Sequence, residues 1–461
     1  MFKQLVQSRG STMKRYAIRA LTAAVLLATG TSAVAADLMQ VYQEAKKYDA
    51  TFAAAEAELR AGQEKSSQAT ALWLPKVQVE AGYNRASSEK TYGESNPAAG
   101  VVDGKRSGNQ YSYSVSASQP IYRAEYSAGA SQLSEQARLA EVSFSAAKQD
   151  LILRVAQAYF DVLYSQDSLE FARAQKDAVS QQLAQAKKQF EVGVATITDT
   201  HEAQAKYDGI VAAEIAALND LAVKQNAFLQ LTGVPADKLV ALPPKMVATP
   251  PMPADMNEWV KMAEQKSLSI DAQRGALAIA EAEIDKYRLL RQPTLDLVAK
   301  YGDEYSRGGL AAIGGTDKTR STAIGVQLNI PIFTGGHTSS KLRESIALRE
   351  QAQHKLEAAR RDAAQNTKQA FLGVQSGAAQ IKALEQALVS SQSSLDSTKL
   401  GREVGVRTTL DLLNAQQQYF STKRDLAQAR YGYLLNQLKL SAAVGELAEK
   451  NLDSVNSQLI H

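Results

Sequence analysis

The chain of 461 residues contains no cysteine. That excludes a disulfide framework and a lipid anchor on an N-terminal cysteine. The four histidines, His201, His337, His354 and His461, are scattered without metal-ligand spacing. No phosphate-binding loop occurs. Gly335-Gly336 follows a strand-like stretch but lacks the rest of that pattern, and reads as a corner. Neither an enzyme nor a cofactor is therefore expected. Beyond the N-terminal segment nothing approaches eighteen continuous apolar residues, which excludes a transmembrane helix. Proline is missing from 38–72 and 124–189, whereas six of the eleven prolines crowd into 235–253.

What is present begins with an export signal over residues 1–36. Met13-Lys14-Arg15 opens a basic region, with Met1 or Met13 as the start. An alanine-rich apolar stretch runs from about Ala17 to Ala28, and Ala33-Val34-Ala35-Ala36 offers a cleavage site before Asp37. The segment holds five basic residues and no acidic ones, so its removal takes the formal charge from +4 to −1. A nucleic-acid role then loses its electrostatic basis.

The remainder contains itself twice. Phe190-Glu191-Val192-Gly193 and Arg402-Glu403-Val404-Gly405 correspond at an offset of 212, as do Gly233 and Gly445. Pro120 and Pro331 correspond at 211, and Pro75 and Pro293 at 218. A period this long is a duplicated half-chain rather than a solenoid unit. It divides the chain into repeat 1 (37–234), a proline-rich connector (235–255), repeat 2 (256–446) and a tail (447–461).

Each repeat reads as helix, two strands and a long helical hairpin. Residues 38–72 carry helix-favouring composition, and Trp73-Leu74-Pro75 ends them. The period then changes to two. Val77, Val79, Ala81 and Tyr83 alternate with polar or small residues, and Tyr111, Tyr113, Val115 and Ala117 alternate with serines. Strands at 76–85 and 110–119, apolar on one face with tyrosines near its ends, fit an outer-membrane barrel; a sheet with one wet face is the alternative. Helices follow at 124–189 and 197–232, the first about 100 Å long at 1.5 Å per residue. Repeat 2 repeats the scheme with a helix at 256–291, strands at 294–302 and 321–330, and helices at 338–400 and 409–444. The glycine-rich stretch from Gly302 through Gly308 to Gly315 reads as a loop. Four strands per chain cannot close in lipid, so a barrel shared between copies is required; two copies give eight strands and three give twelve.

The mature chain resembles the TolC family of outer-membrane export channels over essentially its whole length. The residues that carry this are Asp37 to Gln43, Val192-Gly193 with Thr196-Ile197-Thr198-Asp199, Val404 to Thr408, and Ala429 to Leu438. The resemblance implies a mixed α/β membrane protein of the Gram-negative outer membrane, extending into the periplasm. Its homotrimer would combine a twelve-stranded β-barrel with a long α-helical barrel. The implied partners are outer-membrane lipid, a periplasmic adaptor and an inner-membrane transporter of the RND, ABC or MFS type.

The same resemblance implies a periplasmic gate at the helix turns. Thr198 and Asp199 lie on one side and Arg407 on the other, where a guanidinium–carboxylate bond is a removable restraint. Arg402 stands where the family pattern has a tyrosine, and it could pair with Asp199. Asp411 matches the first carboxylate of the family's constriction ring, in which copies raise one another's pKa. The second acidic position is Asn414, so the ring is halved in charge. Val192-Gly193 and Val404-Gly405 match the adaptor-docking tips. The implied function is an exit duct for drugs, small molecules or proteins. A dedicated type I protein secretion channel is the alternative within the class, and a trimeric coiled-coil adhesin or spacer the alternative outside it.

Overall fold

The computed structural model describes residues 36–91, 104–311 and 315–459. The signal at 1–36 thus lies outside the described residues except for Ala36. Repeat 1 forms α1 (Leu38–Tyr48), α2 (Ala50–Ala71), β1 (Lys76–Lys90), β2 (Gly104–Tyr122), α3 (Ala124–Glu191) and α4 (Ile197–Thr232). Repeat 2 forms α5 (Met256–Lys266), α6 (Leu268–Leu289), β3 (Thr294–Gly308), β4 (Gly315–Asn329), α7 (His337–Glu403) and α8 (Thr409–Ala443), and α9 (Glu449–Asn456) follows. Among the described residues no helix is long and apolar enough to cross a membrane.

The helices expected at 38–72 and 256–291 are each interrupted. Asp49 has an extended ψ of 114°, and its carboxylate accepts the N–H groups of Thr51 and Phe52 at 3.3 and 3.2 Å. It is the N-cap of α2. Arg154 on α3 holds the same carboxylate at 2.6 Å. Ser267 breaks the second helix with a ψ of 125°. The two breaks are 218 residues apart, the offset that also relates Pro75 to Pro293. The interruption is therefore a duplicated feature, carried by residues that favour helix starts.

The four strands form one antiparallel sheet in the order β1-β2-β3-β4. Register puts Val77, Val79, Ala81 and Tyr83 opposite Ala117, Val115, Tyr113 and Tyr111. It also puts Leu295, Leu297 and Ala299 opposite Leu328, Val326 and Ile324. One continuous face is thus apolar, and Gln78, Glu80 and the β2 serines lie on the other. At 15, 19, 15 and 15 residues the strands outrun their expected bounds. Main-chain pairing continues through polar pairs such as Ser87–Ser107 because the ladder does not depend on side-chain polarity. Alternation marks the apolar band, not the length of the ladder. Gly302, expected at the end of the strand, and Gly308, read as loop, both lie within β3. A Cβ on Gly302 would fall 2.8 Å from the Ser114 Cβ.

Two compact units divide the chain, and neither is a repeat: each draws segments from both. One comprises 54–147 and 264–365 and contains the sheet. Within it α2 and α3 approach so closely that a Cβ on Gly62 would lie 2.2 Å from the Ala140 Cβ. Ile270, Leu356 and Ala363 form a buried cluster joining α6 to α7.

The other unit, up to Ala53 with 148–263 and 366 onward, is helical. Here α4 ends on Gly233 at φ 70°, and a Cβ there would meet the Tyr48 ring at 2.8 Å. Left-handed backbone costs a residue with a Cβ about 1–2 kcal/mol, and the ring contact adds about as much again. Gly233→Ala is expected to lower stability by about 2–4 kcal/mol, read as an earlier thermal loss of helical signal. An unchanged transition would contradict this packing.

The proline-rich segment is not a free connector. Tyr159 donates its hydroxyl to the Val240 carbonyl at 2.8 Å. The Tyr433 hydroxyl lies 2.9 Å from the Thr249 N–H and 2.7 Å from its carbonyl. Ala236, Val240 and Met246 are buried. The tail is docked too: Asn456 accepts the Leu38 N–H at 3.0 Å, and Lys46 pairs with Glu449 at 3.2 Å.

Beside this belt the Tyr431 hydroxyl donates to Asp167 at 2.8 Å. Burial and then the nearby Glu170 raise the Asp167 carboxyl above its ordinary value, against the Tyr431 bond and the Arg430 charge. A raised carboxyl contributes stability in acid and loses it as pH rises through the raised value. Asp167→Asn keeps an acceptor for Tyr431 and removes the buried charge. It is expected to raise the unfolding temperature at neutral pH but not in acid; a drop at neutral pH would contradict the account.

Candidate functional site at the helix turns

The turns joining α3 to α4 and α7 to α8 are built alike. Val192 donates to the Lys188 carbonyl at 3.2 Å, Gly193 to Phe190 at 2.9 Å, and Val194 to Gln189 at 2.9 Å. Val404 donates to Leu400 at 3.1 Å, Gly405 to Arg402 at 3.1 Å, and Val406 to Gly401 at 2.8 Å. All three bonds recur at the offset of 212. Gly193 and Gly405 take φ of 77° and 82°, with nothing within 4 Å of a Cβ. Backbone conformation rather than space requires glycine here. The turns expose Val192 and Val194 at 72% each, Val404 at 67% and Val406 at 75%. They are apolar and largely exposed, with no burying partner among the described residues.

After each turn a Thr-x-x-Asp capping box starts the returning helix. The Asp199 carboxylate accepts the Thr196 N–H at 3.0 Å, and the Asp199 N–H donates to the Thr196 hydroxyl at 3.2 Å. Thr408 and Asp411 repeat this at 2.9 and 3.1 Å. Such a box satisfies two orphan donors of the helix start. The backbone and side-chain bonds of Thr408, and then the Arg407 charge, hold the Asp411 carboxyl below its ordinary value. Within one chain that shift is opposite to the mutual raising expected of a ring of copies.

Arg402 does not pair with Asp199. Its guanidinium donates to the side-chain oxygens of Gln182, Gln185 and Gln189 at 2.6, 2.9 and 3.3 Å. These glutamines share one face of α3 near its end, so Arg402 clasps the end of α7 to α3 through neutral acceptors. Asp199 is already engaged by its capping box. A second link joins the hairpins: Leu413 of α8 is buried with Val179, Leu183, Ala186, Ala203 and Ile210, and Lys206 donates to Gln417 at 2.8 Å. Arg407, Thr198 and Asn414 are exposed. Among the described residues no side chain of the same chain bonds the Arg407 guanidinium; its charge acts on Asp411.

The three glutamines were not singled out from sequence. Their spacing shows a shared helix face, but no local pattern says which helix end lies opposite. The capping boxes were not read from sequence either, although Thr-x-x-Asp before a helix is their local signal, and they explain the aspartates without any reference to a gate.

A family model described as "Outer membrane efflux protein" matches residues 41–234 and 259–446. The chain belongs to that family. Outer membrane protein TolC of Vibrio cholerae is 33% identical over 434 residues, covering 94% of this chain and 96% of that protein. Alkaline protease secretion protein AprF of Pseudomonas aeruginosa is 29% identical over 447 residues, covering 95% and 91%. The crystal structure of a membrane protein from Pseudomonas aeruginosa shares the fold with a TM-score of 0.75 at 20% identity, covering 89% of this chain and 91% of that one. As a member of the family the chain is an outer membrane channel protein and not an enzyme. An adhesin or spacer role is set aside by the same match.

Proposed function

We propose that three copies of the chain close one twelve-stranded barrel and together form the exit duct of an efflux or secretion assembly. The observation that carries this is the sheet: four strands, one apolar face, and edges on β1 and β4 that pair with nothing among the described residues. In lipid each unpaired backbone group costs several kcal/mol, so the edges must pair with further copies. Three copies leave a passage where two would fill with side chains. The mass of the detergent-solubilised protein tests this; three chain masses are expected, and a monomer or dimer would overturn it.

Arg407 completes the gate in this reading. Exposed and, among the described residues, bonded by no side chain of its own chain, it meets Thr198 and Asp199 of an adjacent copy, while Arg402 and its glutamines hold the hairpins within each copy. Asp411, three times repeated, forms the constriction with the uncharged Asn414 one turn on. The valine tips around Gly193 and Gly405 dock a periplasmic adaptor, which links the duct to an inner-membrane transporter of the RND, ABC or MFS class. Similarity to an alkaline protease secretion protein supports a second reading, a dedicated type I secretion channel.

A further inference from the structure

The apolar face of the sheet is bounded differently at its two ends. Toward the loops, β1 passes from Val77, Val79, Ala81 and Tyr83 to Arg85. On the same face β2 passes from Tyr113 and Tyr111 to Asn109, Ser107 and Lys105; β3 passes from Tyr301 to Asp303, Tyr305 and Arg307. On β4, Ile324 gives way to Thr322, Arg320 and Lys318. Beyond the band this face thus carries five cations, Arg85, Lys105, Arg307, Lys318 and Arg320, against two carboxylates, Glu89 and Asp303. Within the strands every cation of the face is on its loop side. On the helix side the β4 run simply continues into Ile330 and Ile332, both exposed.

The cations are built onto the aromatic girdle. The Arg307 guanidinium lies 5.9 Å from the centre of the Tyr111 ring, and the Lys318 ammonium 5.0 Å from that of Tyr305. Tyr113 donates its hydroxyl to that of Tyr305 at 2.9 Å. Asp303, buried, is answered twice: Arg320 Nε reaches it at 2.9 Å and Lys318 Nζ at 2.9 Å. Arg85 and Arg307 are exposed, and among the described residues neither meets a carboxylate. A charge on a lipid-facing strand is costly at mid-bilayer and nearly free at the interface. These side chains therefore belong at headgroup level, and their sign selects an anionic headgroup.

We propose that this loop-side collar binds the phosphate groups of the phosphorylated glycolipid that builds the outer leaflet of the outer membrane. The inference rests on the barrel reading above, which puts the helices in the periplasm and the loops outside. The unpaired guanidiniums of Arg85 and Arg307 are the phosphate ligands, since guanidinium matches phosphate with two parallel hydrogen bonds. Arg320 and Lys318 retain exposed surface and add to the field. Tyrosines at 83, 111 and 305 brace the acyl–headgroup boundary.

The test uses the purified oligomer in mixed micelles. Its retention of a phosphorylated disaccharide glycolipid is measured by native mass spectrometry, together with its thermal unfolding. The dephosphorylated glycolipid and inorganic phosphate serve as comparison probes. The phosphorylated form alone is expected to be retained and to raise the unfolding temperature. Arg85→Gln with Arg307→Gln breaks no ion pair and is expected to weaken retention roughly thirtyfold, at about one basic contact's worth of surface attraction each. Equal retention of the dephosphorylated form, or undiminished retention by the variant, would overturn the proposal. Equal stabilisation by inorganic phosphate would overturn the glycolipid assignment in favour of a free-anion site. A protein that entered no bilayer would remove the barrel reading itself, which separates the two failures.

Discussion

Replacing Arg402 and Arg407 together by alanine is expected to leave the duct open at rest, with a large rise in single-channel conductance and entry of antibiotics that the wild type excludes. The two arginines act at different joints. Arg402 holds α7 to α3 within a chain through Gln182, Gln185 and Gln189. Arg407 is exposed and, among the described residues, bonded by no side chain of its own chain; in the proposed trimer it restrains a neighbouring copy. A hydrogen bond of this kind contributes about 1 kcal/mol net. In the proposed trimer, three copies that move together would multiply one such restraint to about 3 kcal/mol, roughly a 150-fold shift between closed and open states. Removing both restraints shifts it further. Because the acceptors of Arg402 are uncharged amides, the Arg402→Ala effect should persist across the acid range. Arg402→Lys should open the duct nearly as far, since an ammonium offers its donors from one nitrogen and cannot span the oxygens that two guanidinium nitrogens reach. Unchanged conductance in the double variant would sink the gate assignment.

A comparable loss is expected at the tips. Val192→Asp with Val404→Asp puts a carboxylate into each apolar turn. An unpaired charge buried against a partner costs about 3–5 kcal/mol, enough to abolish an ordinary docking contact. Export in cells should fall to the level of a strain lacking the gene, while the purified channel conducts as before, because neither side chain bonds within its own chain. Export at the wild-type rate would show that the tips do not dock the adaptor.

The sequence and the structure part company in instructive places. The long helices were legible within a few residues, because their ends carry Pro120, Gly193, Pro331 and Gly405, whose backbone demands are local. Asp49 and Ser267 were harder: each breaks a helix of good composition, and the clue was a repeat offset of 218 in residues that suit helix starts. The strands were recognised by alternation but underestimated, since main-chain pairing outlasts the apolar band. The proline-rich belt could not be placed from composition, because its anchors, Tyr159 and Tyr433, lie far along the chain. At the proposed gate the resemblance singled out residues, yet the Arg402 partners could not be read from it. A substitution of tyrosine by arginine changes the acceptors as well as the donor, and only the meeting of α3 with α7 reveals three glutamines opposite.

The most direct test is the planar-bilayer conductance of the purified wild-type protein. A duct restrained by Arg402 and Arg407, with Asp411 at its constriction, predicts small currents selective for cations. The absence of any conductance from a correctly folded oligomer, or large currents without selectivity, would contradict the account.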